Sequence, residues 1–263
     1  MDDLVVVKLG GSVITHKNRS PPATDQQSLL RIAQELRSHH GPLVVIHGGG
    51  AYGHQAAAQY GYQTPGSSPD QKMKGVPEIR RNMSKLAFDV QSALFEADLK
   101  PVVFPPFTWI SLDGGEIVSY YHEPLERSLR ANLTVITHGD VCFDRKSGAT
   151  ILSGDTLAAW MALRFGAERV LVGTNVDGVF HDDPHKNPYA ELVPVIDSHD
   201  ASAILGKVGP SRDTDVTGGM AKKLADLLTA AREGVEVVIF NLTVPGRLRN
   251  LLKGRSELCT RIL

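Results

Sequence analysis

Short apolar runs rich in valine and isoleucine alternate with helical stretches along almost the whole chain, and this alternation constrains the fold more than any other feature. Strand candidates are residues 4–9, 43–47, 101–104, 133–137, 169–173 and 235–240. Helical spacing of apolar residues covers 25–38, 77–99, 120–130, 155–165 and 219–233. Strands that are apolar on both faces and separated by helices are typical of a parallel sheet covered on both sides. The sequence therefore predicts an α/β fold with a largely parallel sheet.

The segments between these elements are too short to separate domains. Residues 61–74 are rich in Gly, Pro, Ser and Gln and are predicted to form a mobile loop. Residues 181–188 and 206–217 are also predicted to be loops. We therefore predict a single domain, and leave open whether it has two functional halves.

Composition excludes several classes of protein. Lys and Arg total 28 against 29 Asp and Glu, a formal net charge of -1, which argues against a basic nucleic-acid binder. Two cysteines, Cys142 and Cys259, are too few for a disulfide scaffold or a CxxC zinc site. No window approaches the roughly 18 uninterrupted apolar residues of a membrane span, and the chain starts without a basic leader. We expect a soluble cytoplasmic protein that binds neither nucleic acid nor membrane.

Three glycine clusters lie where the chain leaves a strand or enters a helix. They are residues 8–12 (KLGGS), 47–54 (HGGGAYGH) and 217–223 (TGGMAKK). Glycine lets backbone N–H groups approach phosphate oxygens without a Cβ in the way, and strand ends form the usual ligand crevice of an open α/β sheet. A tight turn or a solvated lysine is the ordinary alternative for each cluster alone. Together, and in this order, they indicate phosphate binding.

Further candidate side chains lie beside these clusters. His54 follows the triple glycine and can donate a hydrogen bond to an anion, although a helix cap or a satisfied core histidine is the ordinary alternative. Asp155 opens a helix, either as its cap or as a carboxylate that orients phosphate-binding lysines. Lys223 lies near a helix start, where a lysine is unfavourable unless an anion binds there too. The turn 173–178 is open to ribose, base or metal binding, or is a plain turn.

Familiar catalytic motifs are missing from the sequence. It has no Walker A pattern, no GxGxxG dinucleotide pattern, no HExxH helix and no serine nucleophile elbow. The glycine clusters therefore carry the functional interpretation.

In this order, the motifs resemble the signature of the amino acid kinase superfamily, and within it that of the isopentenyl phosphate kinases. The matching segments are residues 8–12 followed by Lys17, 48–54, 138–140, 151–155, 173–178, 215–220 and 260–262. The resemblance implies a three-layer α/β/α sandwich over residues 1–263 and a homodimer. It also implies transfer of the γ-phosphoryl group of ATP, with Mg²⁺, to isopentenyl phosphate. The product would be isopentenyl diphosphate, made in an alternative mevalonate route.

The resemblance also implies a role for each site residue. The acceptor side would lie in the N-terminal half and the nucleotide side in the C-terminal half. Expected ATP contacts are Lys8, Gly10, Gly11, Ser12, Gly50, Asp177, Gly219 and Lys223. Expected acceptor contacts are Gly49, His54 and Gly154. Lys17 would stabilise the transition state and Asp155 would organise the lysines; with Lys8 and His54 they form the expected catalytic set, and no side chain is expected to bind a metal directly.

The pocket for the isoprenoid tail is the part that the resemblance covers least. Residues 61–74 and the following helix would build it, and they match the family least well. Val76, Ile79 and Met83 recur at i, i+3, i+7 spacing, and face either this pocket or the sheet.

A phosphate acceptor requires positive charge from the enzyme rather than a general base. A phosphate monoester is largely dianionic at neutral pH, so no general base is needed, and lysines must offset its repulsion from ATP. One alternative is a kinase of the same superfamily acting on a phosphonate or carboxylate, such as fosfomycin or N-acetylglutamate. Another is a nucleotide-sensing or storage protein without catalysis, against which the intact Lys8, Lys17, Asp155 and Lys223 argue.

Overall fold

The computed structural model describes residues 3–16, 19–62, 64, 66–184, 186–199 and 219–263, with side chains from residue 224 onward in the last range. The strands are β1 (Val5–Leu9), β2 (Thr15–His16), β3 (Ala23–Thr24), β4 (Leu43–His47), β5 (Pro101–Val103), β6 (Ile110–Asp113), β7 (Glu116–Tyr120), β8 (Thr134–His138), β9 (Asp140–Asp144), β10 (Gly148–Leu152), β11 (Arg169–Thr174), β12 (Val195–Ile196), β13 (Glu236–Asn241) and β14 (Cys259–Ile262). The helices are α1 (Gly11–Ile14), α2 (Gln26–Leu36), α3 (Gly50–Gln59), α4 (Pro69–Glu96), α5 (Glu123–Arg130), α6 (Gly154–Phe165), α7 (Gly219–Arg232) and α8 (Arg247–Leu252), with a 3₁₀ turn at Pro106–Thr108.

An eight-stranded sheet lies at the centre, in the order β12-β14-β13-β11-β1-β4-β8-β5. Its neighbouring strands are parallel except for the pair β13 and β14, which is antiparallel. Strands β1, β4 and β8 are buried along their whole length. The predicted, mainly parallel sheet is confirmed.

Helices cover both faces of this sheet because successive residues of each strand point to opposite sides. Val5 and Val7 pack into one core with α2, α4 and α8, whereas Val6 packs into the other with α5, α6 and α7. The three-layer α/β/α arrangement is therefore confirmed.

A second, four-stranded sheet in the order β10-β9-β6-β7 was not predicted from the sequence, nor was the short ribbon of β2 and β3. Strand β7 is exposed along most of its length, so it lacks the continuous apolar run that marked the central strands. The helix predicted over 120–130 begins at Glu123, because Tyr120 belongs to β7.

Helix α4 corrects part of the predicted loop over residues 61–74, of which 69–74 are helical, and the predicted helix start at Pro77. It begins at Pro69, where the side chain of Ser68 accepts a hydrogen bond from the N–H of Gln71 and so caps the first turn. Pro77 lies inside the helix. Buried contacts hold the turn before it, since Gly75 lies directly against the Tyr60 ring. Packing therefore outweighs the local preference of proline and glycine.

Candidate active site

The glycine turns that follow the central strands meet at the carboxyl edge of the sheet. Backbone hydrogen bonds of 2.9–3.0 Å join adjacent turns, from the N–H of Gly10 to Gly173, of Gly48 to Leu9 and of Gly139 to His47. Turns that the sequence separates by more than a hundred residues thus form one continuous surface, the floor of the candidate site.

Close packing explains why glycine occupies two of the predicted nucleotide positions. A Cβ on Gly11 would lie 2.3 Å from the backbone nitrogen of Gly50. Gly50 has a φ of +49° and begins α3, and a Cβ there would lie 2.3 Å from Oγ1 of Thr15. These glycines are therefore required to fit the turns together, whatever ligand the turns bind.

Thr15, which the sequence analysis did not single out, connects the first two turns. Its buried hydroxyl donates to the carbonyl of Gly11 at 2.8 Å and accepts from the N–H of Ala51 at 3.1 Å. Ser12 is exposed in α1, beside this connection. The positions of the glycine amides thus depend on a threonine that no glycine motif contains.

Lys8 and Asp155 form a buried ion pair beneath these turns. Nζ of Lys8 lies 2.8 Å from Oδ1 of Asp155, and both side chains are less than a tenth exposed. The cap of α6 is Ser153, whose Oγ accepts from the N–H groups of Asp155 and Thr156, so Asp155 is not the cap. The carboxylate instead fixes the ammonium group at the end of β1, as buried charges require.

The acceptor candidates lie around the start of α3 and α6. Gly49 directly precedes α3. His54 is half-buried four residues after Gly50, which places Gly50 and His54 on one face of the helix. Gly154 begins α6, and a Cβ on it would lie 3.5 Å from the carbonyl oxygen of His47, which directly precedes the triple glycine. The two acceptor-side turns are therefore neighbours.

A small apolar cluster borders the triple-glycine turn. The sulfur of Met83 lies 3.5 Å from the Cβ position of Gly49 and 3.3 Å from that of Gly53. The members of the cluster are Ala56, Ala57, Val76, Ile79, Met83, Val141 and Ala149. It is separate from the two cores that pack on the central sheet, so Val76, Ile79 and Met83 do not belong to those cores.

Two buried histidines at the ends of β4 and β8 were not predicted to have a role. The rings of His47 and His138 are 4.9 Å apart and fully buried, and each Nδ1 is hydrogen-bonded to the next carbonyl. Burial lowers the pKa of His138 to about 4 and the pKa of His47 well below its ordinary value. Both imidazoles are therefore neutral at physiological pH.

Asp140 extends this buried polar group. It forms an ion pair with Arg80 of α4, yet burial raises the pKa of its carboxyl group to about 6. Its main-chain position directly follows Gly139, so the Arg80 contact attaches α4 to the acceptor-side turn.

The remaining predicted residues lie on the nucleotide side or outside the described structure. Asp177 forms an ion pair with Arg247 at 2.5 Å, and its side chain is 32% exposed. Gly219 begins α7, as the sequence predicted. Lys17 and the side chain of Lys223 lie outside the described residues, so their predicted roles stay predictions.

Neither a metal-binding cluster nor a membrane-spanning helix is found among the described residues. Within them, no group of three or more His, Cys, Asp or Glu side chains is placed to hold a metal ion. No helix among them has the length and apolar character needed to span a bilayer. The carboxylates at the turns, Asp140, Asp155 and Asp177, are each paired with a lysine or an arginine.

Comparisons by family model, sequence and structure all identify the same group of relatives. A sequence model for the amino acid kinase family matches residues 3–241. The chain is similar to the isopentenyl phosphate kinase of Methanothermobacter thermautotrophicus, with 36% identity over 98% of each chain. It is also similar to that of Methanocaldococcus jannaschii, with 31% identity over 84% of this chain and 85% of the other. A solved structure of isopentenyl phosphate kinase aligns with a TM-score of 0.85 and 31% identity, over 99% of this chain and 100% of that one.

Proposed function

Because the chain belongs to the amino acid kinase family, we propose that it transfers the γ-phosphoryl group of ATP to isopentenyl phosphate and forms isopentenyl diphosphate for isoprenoid biosynthesis. The observation that carries this proposal is the similarity to isopentenyl phosphate kinases over 98% of the chain. The joined glycine turns and the buried Lys8–Asp155 pair supply the groups that phosphoryl transfer requires, namely positioned amides and fixed positive charge.

The acceptor phosphate is assigned to the turns at Gly49 and Gly154, with His54 donating to it. The adjoining apolar cluster around Met83 supports an acceptor with a hydrocarbon tail, because such a tail gains free energy from leaving water. A phosphate acceptor is already nucleophilic at neutral pH, so this chemistry requires no general base.

ATP is assigned to the opposite side of the same floor. Its proposed contacts are Lys8, Gly10, Gly11, Ser12, Gly50, Asp177, Gly219 and Lys223. Asp155 holds Lys8 in place, and we assign to Lys17 the stabilisation of charge on the transferring phosphoryl group. Together the three lysines offset the repulsion between two phosphorylated molecules.

Mg²⁺ fits this site as a companion of the nucleotide. Asp155 is a buried carboxylate at the start of α6, and it is paired with Lys8. Mg²⁺ commonly binds through substrate phosphates and water with one or two carboxylates, which suits a site with so few protein ligands. When bound, the ion would neutralise part of the phosphate charge.

The proposal extends to the organisation of the protein. We assign residues 1–263 to a single kinase domain in the cytoplasm, with the acceptor side in its N-terminal half and the nucleotide side in its C-terminal half. The two cysteines are free and buried, which suits a reducing compartment.

A homodimer forms part of the proposal, with α4 as its interface. Phe88 and Phe95 lie two turns apart on this helix and are 66% and 74% exposed. Arg81 and Lys85 are exposed just before the two phenylalanines and Glu96 directly after them. Two antiparallel copies of this part of α4 would therefore bring the basic residues of one copy toward the acidic residue of the other around an aromatic centre, as a two-fold interface allows.

An acceptor panel tests the function. ADP release would be measured with isopentenyl phosphate, fosfomycin and N-acetylglutamate in parallel. We expect turnover with isopentenyl phosphate only. Turnover with one of the others instead would assign a different acceptor, and binding of ATP without turnover would indicate a nucleotide sensor.

His54→Ala tests the acceptor side of the site. Losing one charge-assisted hydrogen bond costs on the order of 1.5–3 kcal/mol, so we expect kcat/KM for the acceptor to fall by about one to two decades. His40→Ala, at an exposed position, serves as the control. Normal kinetics in His54→Ala would show that the imidazole only packs in α3.

A further inference from the structure

The carboxylate of Asp177 is paired with an arginine of another element. Its partner is Arg247, whose Nη1 lies 2.5 Å from Oδ1 of Asp177. Nε of the same guanidinium lies 3.7 Å from Oε2 of Glu257. Arg247 itself is buried, although Asp177 is one-third exposed. A buried guanidinium is thus aimed at a carboxylate that reaches solvent.

Hydrogen bonds from another helix hold the start of α8, where Arg247 lies. Glu35 of α2 is buried, and its two oxygens accept hydrogen bonds from the N–H groups of Gly246 at 2.9 Å and Arg249 at 3.1 Å. Arg31 pairs with Glu35 at 2.9 Å and so balances its charge. Because the first N–H groups of a helix have no partner within it, this remote carboxylate holds the first turn of α8, which Arg247 begins.

The turn that carries Asp177 is fixed at its beginning as well. The carbonyl of Thr174 accepts from the N–H of Leu242 at 2.8 Å, and its hydroxyl accepts from the N–H of Val176 at 3.1 Å. The N–H of Val179 donates to Oγ1 of Thr260 at 2.8 Å. The main chain on both sides of Asp177 is therefore held, and Arg247 supplies the side-chain contact that sets the direction of the carboxylate.

We propose that Arg247 is a positioning residue for the nucleotide: it holds the Asp177 carboxylate by Oδ1 so that the second oxygen accepts a hydrogen bond from the nucleoside part of the donor. An ionised carboxylate accepts hydrogen bonds but donates none, and it repels phosphate. The group of the nucleotide that it binds must therefore be a hydroxyl or an amino group. This inference rests on the proposed function for the identity of the donor, and nothing in it depends on the identity of the acceptor.

The test compares two arginines of one helix. Arg247→Met removes the guanidinium, Arg247→Lys keeps the charge without the planar fork, and Arg249→Met is the control because the side chain of Arg249 is exposed and only its backbone binds Glu35. Calorimetry would give the affinity for a non-hydrolysable ATP analogue without acceptor, and kinetics would give the two KM values. We expect Arg247→Met to bind the analogue about 10-fold more weakly, Arg247→Lys to recover part of that loss, and Arg249→Met to bind normally.

A merely structural role would give a different result. If Arg247 acts through Asp177, Arg247→Met adds no further loss in an Asp177→Asn background, and the KM for the acceptor stays unchanged. Asp177→Asn and Arg247→Met should both reduce the preference for ATP over 2′-deoxy-ATP or 3′-deoxy-ATP. Additive losses, unchanged nucleotide affinity or an equal effect on the acceptor would overturn the inference.

Two controls keep the result interpretable. Should Arg247→Met fail to fold, Arg247→Lys and Asp177→Asn give the same comparison, since Asp177 is partly exposed, the amide oxygen of its replacement can still accept from Arg247, and Glu257 stays beside the guanidinium. Failure of the proposed function appears separately, as an absence of turnover with isopentenyl phosphate in the wild-type protein, while the calorimetric comparison stands.

Discussion

Single glycines in the candidate site are required by contact between turns as well as by any ligand. At Gly11 and Gly50 the neighbour of the missing Cβ is protein backbone or the Thr15 hydroxyl, at distances below 3 Å. Phosphate binding and close packing are therefore not alternatives: amides can line an anion site only after the turns approach each other this closely.

Gly50→Ala should be far more damaging than Gly53→Ala three residues later. At Gly50 the added methyl would meet the Thr15 hydroxyl at 2.3 Å, with a φ of +49°, so we expect a loss of about 2–5 kcal/mol. At Gly53 the nearest atom is the Met83 sulfur at 3.3 Å, within a helix that favours alanine, so we expect a change within about 1 kcal/mol. Urea unfolding of both variants measures the difference, and equal stability would contradict this account.

Residue types and their order could be predicted from the sequence, whereas their tertiary partners could not. The pairing of Asp155 with a lysine was one of two readings, and Lys8 proves to be the partner. Thr15 and Arg247 were missed because they act on residues 36 and 70 positions away, and no local pattern marks such contacts.

At the scale of elements, strands buried on both faces were recognised and half-exposed ones were not. Strand β4 has the predicted bounds because its five residues are all apolar or buried. Strand β7 was missed since most of its side chains face solvent. Helix α4 was predicted eight residues short because Gly75 and Pro77 suggested a boundary that tertiary packing overrides.

The ends of β4 and β8 make stability sensitive to acid. The ordinary histidine pKa is 6.5 and that of native His138 is about 4. Between these values the unfolded chain binds a proton that the native chain refuses, so stability falls as pH falls. His47 acts in the same direction. Asp140, with its pKa raised to about 6, acts in the opposite direction, because the native chain takes up its proton first.

His138→Asn should therefore reduce the loss of folding stability between pH 7 and pH 5. Between pH 7 and pH 5 one such histidine accounts for about 2 kcal/mol, and this share should disappear in the variant whatever its stability at pH 7. Denaturant unfolding at the two pH values gives the difference, with His40→Asn at an exposed position as the control. An unchanged difference between pH 7 and pH 5 in His138→Asn would show that the buried ring does not titrate as described.

For the molecule as a whole, the sequence predicted the central layer better than the layer beyond it. The parallel sheet follows from continuous apolar runs, and both helical layers follow from helices between them. The four-stranded sheet depends on pairings such as β6 with β9, which join segments separated by a helix and a central strand. Such contacts are set by the fold that already exists around them.

The exposed aromatic face of α4 predicts the behaviour of the whole molecule in solution. Since Phe88 and Phe95 would be covered in the proposed dimer, Phe88→Glu combined with Phe95→Glu should place four carboxylates at a two-fold contact and yield monomers. Tyr189→Glu is the matched control, because Tyr189 is an 88% exposed aromatic side chain outside α4. Light scattering should give twice the chain mass of 28.5 kDa for the wild type and the control, and the single chain mass for the double variant. A monomeric wild type would contradict the dimer, whereas a dimeric double variant would place its interface elsewhere.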